Sequence, residues 1–445
     1  MNRATRLPVG LAAFLLVVLS LPLLLPAEKK PSDTMSSLQR DEALQMLQDT
    51  ADKVRKEYYD PTFHGIDFEA RYKDAQQKVR SAQTLSQAFG IIAWLLDGLN
   101  DSHTIFMPPS RPYLVQDGWE ASFIGETCVI TAVKEGSDAE KQGLKAGDVI
   151  LAIEGFRPTR ANWFKLTYTF HTLAPRAGMK LAVVRPGGQP REIIVMSAVK
   201  KMPKTYDLSD SMVVWNLVRE AEDDEERNIV RWAEVNNVLV WKLPRFMLSD
   251  DQIDAFLKKT NGQKAVVIDL RGNPGGLLEN LARLLGGIFD HDVKVGYQIE
   301  RKGTKPFLAK SRGSRAYTGK IFVLIDSGSA SAAELFARVV QLEKRGTVIG
   351  DRSAGAVMEA RPFPFSQGAA FGEYLPYGVE VTVADLRMTD GNSLEHHGVV
   401  PDETLLPTPE EVAAGADPQL ARALQVAGVN MSSSAAGQLF PIRWK

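Results

Sequence analysis

Ser331 is the residue whose type and setting point most directly to chemistry. It lies in Asp326-Ser-Gly-Ser-Ala-Ser-Ala-Ala-Glu334, directly after the β-branched and aromatic run Ile321-Phe-Val-Leu-Ile325. Leu335, Phe336, Val339, Val340 and Leu342 follow at helical spacing. The order is strand, tight turn, helix. A serine there can stand at a helix N-terminus, where free N–H groups and the helix dipole favour developing negative charge. That is the setting of an acyl-transfer nucleophile. Ser331-Ala-Ala-Glu334 equally fits the S/T-x-x-E capping box, in which the serine only starts a helix. On this stretch alone the capping role is the better bet.

Other stretches could serve such a serine. Asp97-Gly-Leu-Asn-Asp-Ser-His-Thr104 is a polar loop by its turn residues, and His103 is the one histidine of six set among so many hydrogen-bonding neighbours. A lone histidine is more often simply packed or solvated. Arg271-Gly-Asn-Pro-Gly-Gly276 lies between an apolar strand and a helical pattern. Its glycines let the backbone approach a ligand and aim N–H groups at it, as they would in any tight strand-to-helix turn. His396 and His397 are adjacent, so in an extended chain they point opposite ways and chelation by both is disfavoured. With one cysteine, Cys128, and no H-E-x-x-H, neither an internal disulfide nor a zinc site of the cysteine-rich kind is expected. No metal or cofactor is expected.

These residues need a scaffold. At 445 residues the chain is long enough for two or three domains. A formal net charge of −1 gives no global field toward nucleic acid or acidic lipid. Met1 to Ala27 carry Arg3 and Arg6 and then an apolar run, which reads as an export signal or, failing cleavage, an N-terminal anchor. The body is therefore expected outside the cytoplasm. Residues 38–116 read as a helical N-terminal module. Residues 201–407 alternate strands with helices, including Asn237–Leu243, Asp250–Thr260, Lys264–Leu270 and Leu277–Ile288, which argues an α/β core. The acidic run Glu220–Glu226 reads as a solvated turn. Residues 408–445 read as a C-terminal tail, frayed from Ser432.

Residues 117–200 form a unit of their own. Gly143-Leu-Lys-Ala-Gly-Asp-Val-Ile-Leu-Ala-Ile-Glu-Gly155 closely resembles a PDZ domain. The resemblance implies peptide docking as an added strand on an open sheet edge. The residues at its carboxylate-binding loop are Gly118, Trp119 and Glu120, where a bulky ring and an acid replace the small residues of the family.

Three separated motifs, Asp269-Leu-Arg-Gly-Asn-Pro-Gly-Gly276, Gly328-Ser-Ala-Ser-Ala-Ala-Glu334 and Glu395-His-His-Gly-Val-Val-Pro-Asp402, together resemble the C-terminal processing, or tail-specific, serine peptidases. The resemblance covers about Leu38 to Pro407. It implies a crotonase-like α/β core, protein or peptide substrates, Ser331 as nucleophile, and an oxyanion hole from the N–H of Ala332 with Gly275 or Gly276. One departure is informative. The Ser-Lys branch takes its base from a lysine in a turn that here reads Ser353-Ala-Gly-Ala356, so Ala356 stands at the lysine position. The tricorn-type branch uses instead a Ser-His pair before the PDZ unit and a late glutamate. This chain has Ser102-His103 and Glu395, so the resemblance implies His103 as general base, oriented by Ser102 and Glu395. The alternative is a PDZ-containing scaffold that binds peptides without cutting them.

Overall fold

The computed structural model describes residues 34–111, 113–201, 230–368, 374–442 and 444. The expected export signal and the acidic run lie outside them. Among the described residues no helix is long and apolar enough to cross a membrane.

The N-terminal module is three helices, α1 (Ser37–Glu57), α2 (Phe68–Ser81) and α3 (Leu85–Asp97). Ser36 and Thr84 start α1 and α3 through reciprocal bonds with Gln39 and Gln87, satisfying N–H groups that the first turn leaves unpaired. α1 buries Ala43, Met46, Leu47, Ala51 and Val54, the stripe that its spacing dictates. The module packs on Tyr377, Val379 and Val381 of a long core strand, so its hydrophobic core is continuous with that strand.

The chain then enters β1 (Ile105–Met107) and β2 (Tyr113–Gln116). β3 (Trp119–Ile124), β4 (Thr127–Val133), β5 (Val149–Ile153), β6 (Gly178–Val184) and β7 (Arg191–Met196) form one antiparallel sheet in the order β3-β4-β5-β6-β7. Phe123, Ile130, Ile150, Leu181 and Val195 close its core against Leu166 and Phe170. β8 (Ala198–Lys201) returns to pair with β2, so chain enters and leaves this unit through a two-stranded ribbon.

β9 (Arg231–Val235), β10 (Val238–Lys242), α4 (Asp250–Lys259), β11 (Ala265–Asp269) and α5 (Leu278–Ile288) begin the core. β12 (Val293–Glu300), β13 (Gly303–Ala309), β14 (Lys320–Ile325), α6 (Ala332–Leu342), β15 (Thr347–Gly350), β16 (Met358–Gly368), β17 (Tyr374–Met388) and β18 (Glu403–Thr404) complete it. The central sheet runs β18-β15-β14-β11-β10-β9, parallel except for the edge strand β9. Its inner strands β10, β11 and β14 are almost wholly apolar because both faces are covered. Leu239, Trp241, Val266, Ile268, Val323 and Ile325 face α4, α5 and α6. Val238, Val240, Ala265, Val267, Phe322 and Leu324 face the other way. Each Val, Leu, Ile or Phe among them contributes about 1.5–3 kcal/mol when fully buried. β17 joins β1, β12 and β16 in a second, antiparallel sheet.

What covers that second face corrects the sequence reading. The described stretch from Ser432 to Ile442 is not frayed. α7 (Pro418–Val426) buries Leu420, Ala423 and Leu424 on the sheet, and α8 (Ser433–Gly437), capped by Ser432, buries Ala436 beside it. Leu439 and Phe440 pack on the same cluster. The apolar residues there are few, but each is placed inward.

Candidate active site

The central sheet ends its parallel strands on one side, where open α/β sheets bind ligands. Three loops meet there: Leu270–Leu277 after β11, Asp326–Ser331 after β14, and Asp351–Val357 after β15. Ser331 occupies the N-cap of α6 with φ 54° and ψ −119°, a region a side-chain-bearing residue adopts only under constraint. The constraint is visible. Its N–H donates to the Ala356 carbonyl at 2.8 Å and to Glu334 Oε2 at 3.1 Å.

Glu334 does more than close a capping box. Its buried carboxylate also accepts from Ser353 Oγ at 2.5 Å, Gly355 N at 2.8 Å and Ala356 N at 2.9 Å. Burial pushes it up to about 7 against those donors. The turn Ser353–Ala356 is thus held by a glutamate on the helix that follows Ser331.

Asn273, fully buried, ties the glycine loop to the serine turn. Its carbonyl accepts from Ala330 N at 2.9 Å, and its Oδ1 takes the Gly275 N–H at 2.8 Å. Gly275 has φ 98°, and a Cβ there would stand 2.6 Å from Ser331 Cβ and 2.9 Å from Ala332 N. Gly276 has φ 137° and no room either, with the Phe246 carbonyl 2.3 Å from where its Cβ would be. Among the described residues the N–H groups of Gly276 and Ala332 make no hydrogen bond. Behind the loop, Arg271 bridges Asp269 at 2.8 Å and Asp417 at 2.7 Å.

The second cluster comes from distant parts of the chain. Glu395 accepts from Ser102 N at 2.8 Å, Ser102 Oγ at 2.9 Å and Val357 N at 2.7 Å. Ser102 Oγ also meets His103 Nδ1 at 2.7 Å. The hydroxyl has one proton. Given to Glu395, it leaves Ser102 Oγ to accept from His103, which sets the proton on Nδ1 and a lone pair on Nε2. Burial pushes His103 down, with Asp101 opposing, and pushes Glu395 up against its three donors. The two clusters share a backbone link, since Ala356 takes the Ser331 N–H and Val357 donates to Glu395. Among the described residues no hydrogen bond joins Ser331 to His103 directly.

A cleft of about 2300 Å³ opens over these loops, lined among others by Ser102, Ala330, Ala356, Trp94, Phe123 and Trp163. Glu120 lies on its wall, whereas Gly118, just before β3, and Trp119, its first residue, lie outside it. Further along β3, Phe123 O accepts from Ser327 Oγ at 2.7 Å, so the five-stranded unit touches the serine turn itself. His396 Nε2 and His397 Nδ1 go to separate backbone carbonyls, Asn100 O and Glu395 O. The sequence reading left Asn273 and Asp101 unassigned and took Glu334 only as a helix cap. A lone amide residue inside a glycine-rich turn was the available signal for Asn273.

The pattern of peptidase family S41 matches residues 237–405. Over 412 residues the chain is 26% identical to a carboxyl-terminal-processing protease of Synechocystis sp., covering 88% of this chain and 89% of that one. It is 32% identical over 192 residues to the tail-specific protease of Haemophilus influenzae, covering 41% of this chain and 26% of that one. The fold is similar to that of mature CPAF, with a TM-score of 0.62 at 16% identity, covering 85% of this chain and 95% of that one. Residues 237–405 thus match peptidase family S41, and the chain is a serine-type peptidase similar to carboxyl-terminal-processing and tail-specific proteases.

Proposed function

We propose that this chain is an exported serine endopeptidase that cuts unfolded or extended protein segments, with Ser331 as nucleophile and His103 as general base. The observation that carries this reading is the Glu395–Ser102–His103 relay, which leaves Nε2 of a neutral imidazole available and is tied through Val357 to the turn that holds the Ser331 N–H. In this reading His103 takes the Ser331 proton as Oγ attacks the peptide carbonyl carbon. It returns that proton to the leaving amine, and water then hydrolyses the acyl-enzyme by the reverse sequence. Ser102 and Glu395 hold the tautomer and favour the imidazolium. The oxyanion hole consists of the N–H groups of Ala332 and Gly276, because that of Gly275 is engaged by Asn273. Each such donor is typically worth about 3 kcal/mol of barrier.

The core is read as crotonase-like, and the unit 117–200 as PDZ-like, docking substrate segments along the edge of β3 that borders the cleft. The apolar run ending at Ala27 is read as the export signal or anchor. N-terminal sequencing of the secreted or membrane fraction distinguishes the two.

The test is labelling by a fluorophosphonate probe together with mass spectrometry of a denatured protein digest. Wild type should label at Ser331 and generate cuts, while Ser331→Ala does neither and His103→Ala loses nearly as much. The alternative, a non-cutting peptide-binding scaffold, draws on Ala356 and on the missing Ser331–His103 hydrogen bond. It wins if wild type binds extended peptides but neither labels nor cuts.

A further inference from the structure

We propose that Asp101 is a positioning residue for the candidate base: it builds the loop that presents His103 to Ser102 and anchors that loop to the core sheet. The inference rests on the reading of His103 as base. Asp101 Oδ1 accepts from His103 N at 2.9 Å, Thr104 N at 2.7 Å and Thr382 Oγ1 at 2.8 Å. Its Oδ2 accepts from Thr104 Oγ1 at 2.9 Å. Two of these donors are the backbone N–H groups of the loop itself. The Asp101 carboxylate therefore closes a turn whose product is the orientation of His103.

The other donors fix that turn in place. Thr382 lies on β17, and its N–H and Oγ1 both meet Thr104 Oγ1, at 3.1 Å each. Thr382 is fully buried and Thr104 nearly so. Among the described residues no other side chain joins the base loop to both its own backbone and this strand. Ser102, next along, meets Glu395 on the opposite side. The imidazole is thus held from two directions, by Glu395 through Ser102 and by β17 through Asp101.

Asp101 also places a negative charge next to an imidazole that must become cationic during proton transfer. The titratable groups around it are Glu395 and His396 from the Leu394–Gly398 turn, and Tyr58 and Tyr59 at the end of α1. Burial pushes both tyrosine hydroxyls far above the working range, so they stay neutral. Glu395 lies beyond Ser102. Asp101 is the charge that opposes the downward push of burial on His103.

Two substitutions separate shape from charge. In Asp101→Asn the amide oxygen still accepts the loop N–H groups, and Thr104 Oγ1 can accept from the amide nitrogen, but the charge is gone. In Asp101→Ala both are lost. The experiment measures kcat/KM against pH on an extended peptide for wild type, Asp101→Asn, Asp101→Ala and His103→Ala. Asp101→Ala should lose about 10²-fold, the typical result of a misplaced catalytic group. Asp101→Asn should keep activity within about tenfold on the plateau but move the acid limb to lower pH, because the imidazolium has lost its neighbouring charge. A role only in folding would move thermal stability and leave that limb where it was.

The proposal is overturned if His103→Ala is inactive while Asp101→Asn has an unmoved limb and Asp101→Ala stays within about threefold of wild type. If His103→Ala keeps most activity, the reading of the base fails and the proposal falls with it. Should Asp101→Ala not fold, the limb of Asp101→Asn alone decides.

Discussion

At the residue scale the question is what holds the turn at Ala356 against Ser331. The answer lies in what surrounds Ala356. Its N–H and that of Gly355 point at Glu334, whose two oxygens are each filled by two donors. A glutamine there must turn its NH₂ toward two of those donors whichever way it is flipped. Glu334→Gln is therefore expected to lower stability by about 1–3 kcal/mol, the cost of unsatisfied buried groups, and to reduce kcat/KM because the Ser331 N–H loses its anchor. Thermal melts and kinetics on one preparation check both. The sign of its pH effect is also fixed. A carboxyl whose folded value is raised to about 7 binds its proton more tightly when folded, so stability falls as pH rises from about 4.3 to that value, and glutamine should remove this slope.

His103 has the opposite sign. Burial lowers it, so the neutral form persists below the ordinary value of about 6.5, and kcat/KM should rise with pH through a midpoint under that value and then level. A rate still climbing well above pH 7 would instead indicate a lysine base. The same shift means that stability is lost as pH falls from about 6.5 through the folded value, because the unfolded chain takes up the proton first.

Elements explain what was legible in the sequence and what was not. The strand-turn-helix at Ser331 could be read because the apolar period changes there, from a continuous strand to helical spacing. The glycines at 275 and 276 could be suspected because only glycine tolerates such approach. Asp101 could not be assigned, since its partner Thr382 lies 281 residues away on a strand that nothing local connects to it. The same holds for the docking of the five-stranded unit. Arg160 pairs with Asp351 at 3.2 Å, with side chains only 11% and 8% exposed, and also bonds the carbonyls of Arg352 and Ser353. That contact fixes the strand-to-loop junction leading to Ala356. Truncating one member of a buried pair commonly costs about 3–5 kcal/mol. Arg160→Ala should loosen the unit 117–200 against the core, seen as faster amide exchange in both β3 and residues 351–357. Faster exchange in β3 alone would show that the contact does not brace the turn that anchors Ser331.

At the scale of the whole molecule, the segment after Pro407 is structural. Leu420, Ala423, Leu424 and Ala427 recur at helical spacing, so α7 was legible in the sequence and only the stretch after Ser432 is too sparse for that argument; together α7 and α8 cover the face formed by Val238, Val240, Val267, Phe322 and Leu324. It also supplies Asp417, which shares the Arg271 guanidinium with Asp269. Burial alone would raise both carboxyls, but Arg271 outweighs it for each, with Lys242 adding to the effect at Asp269, and both are held below the usual carboxylate range. Their stabilisation is complete above about pH 3.9 and is lost as pH falls through the depressed folded values. Asp417→Asn should therefore lower the melting temperature at pH 7 and flatten its fall below pH 4. A chain ending at Pro407 faces a larger loss. It exposes one whole face of the central sheet, and it leaves Arg271 buried with one partner fewer directly behind the glycine loop. Such a chain should bind the dye ANS, lose its cooperative melt and fail to label at Ser331 with fluorophosphonate. A truncated protein that melts cooperatively and labels normally would show that the sheet needs no cover on that side.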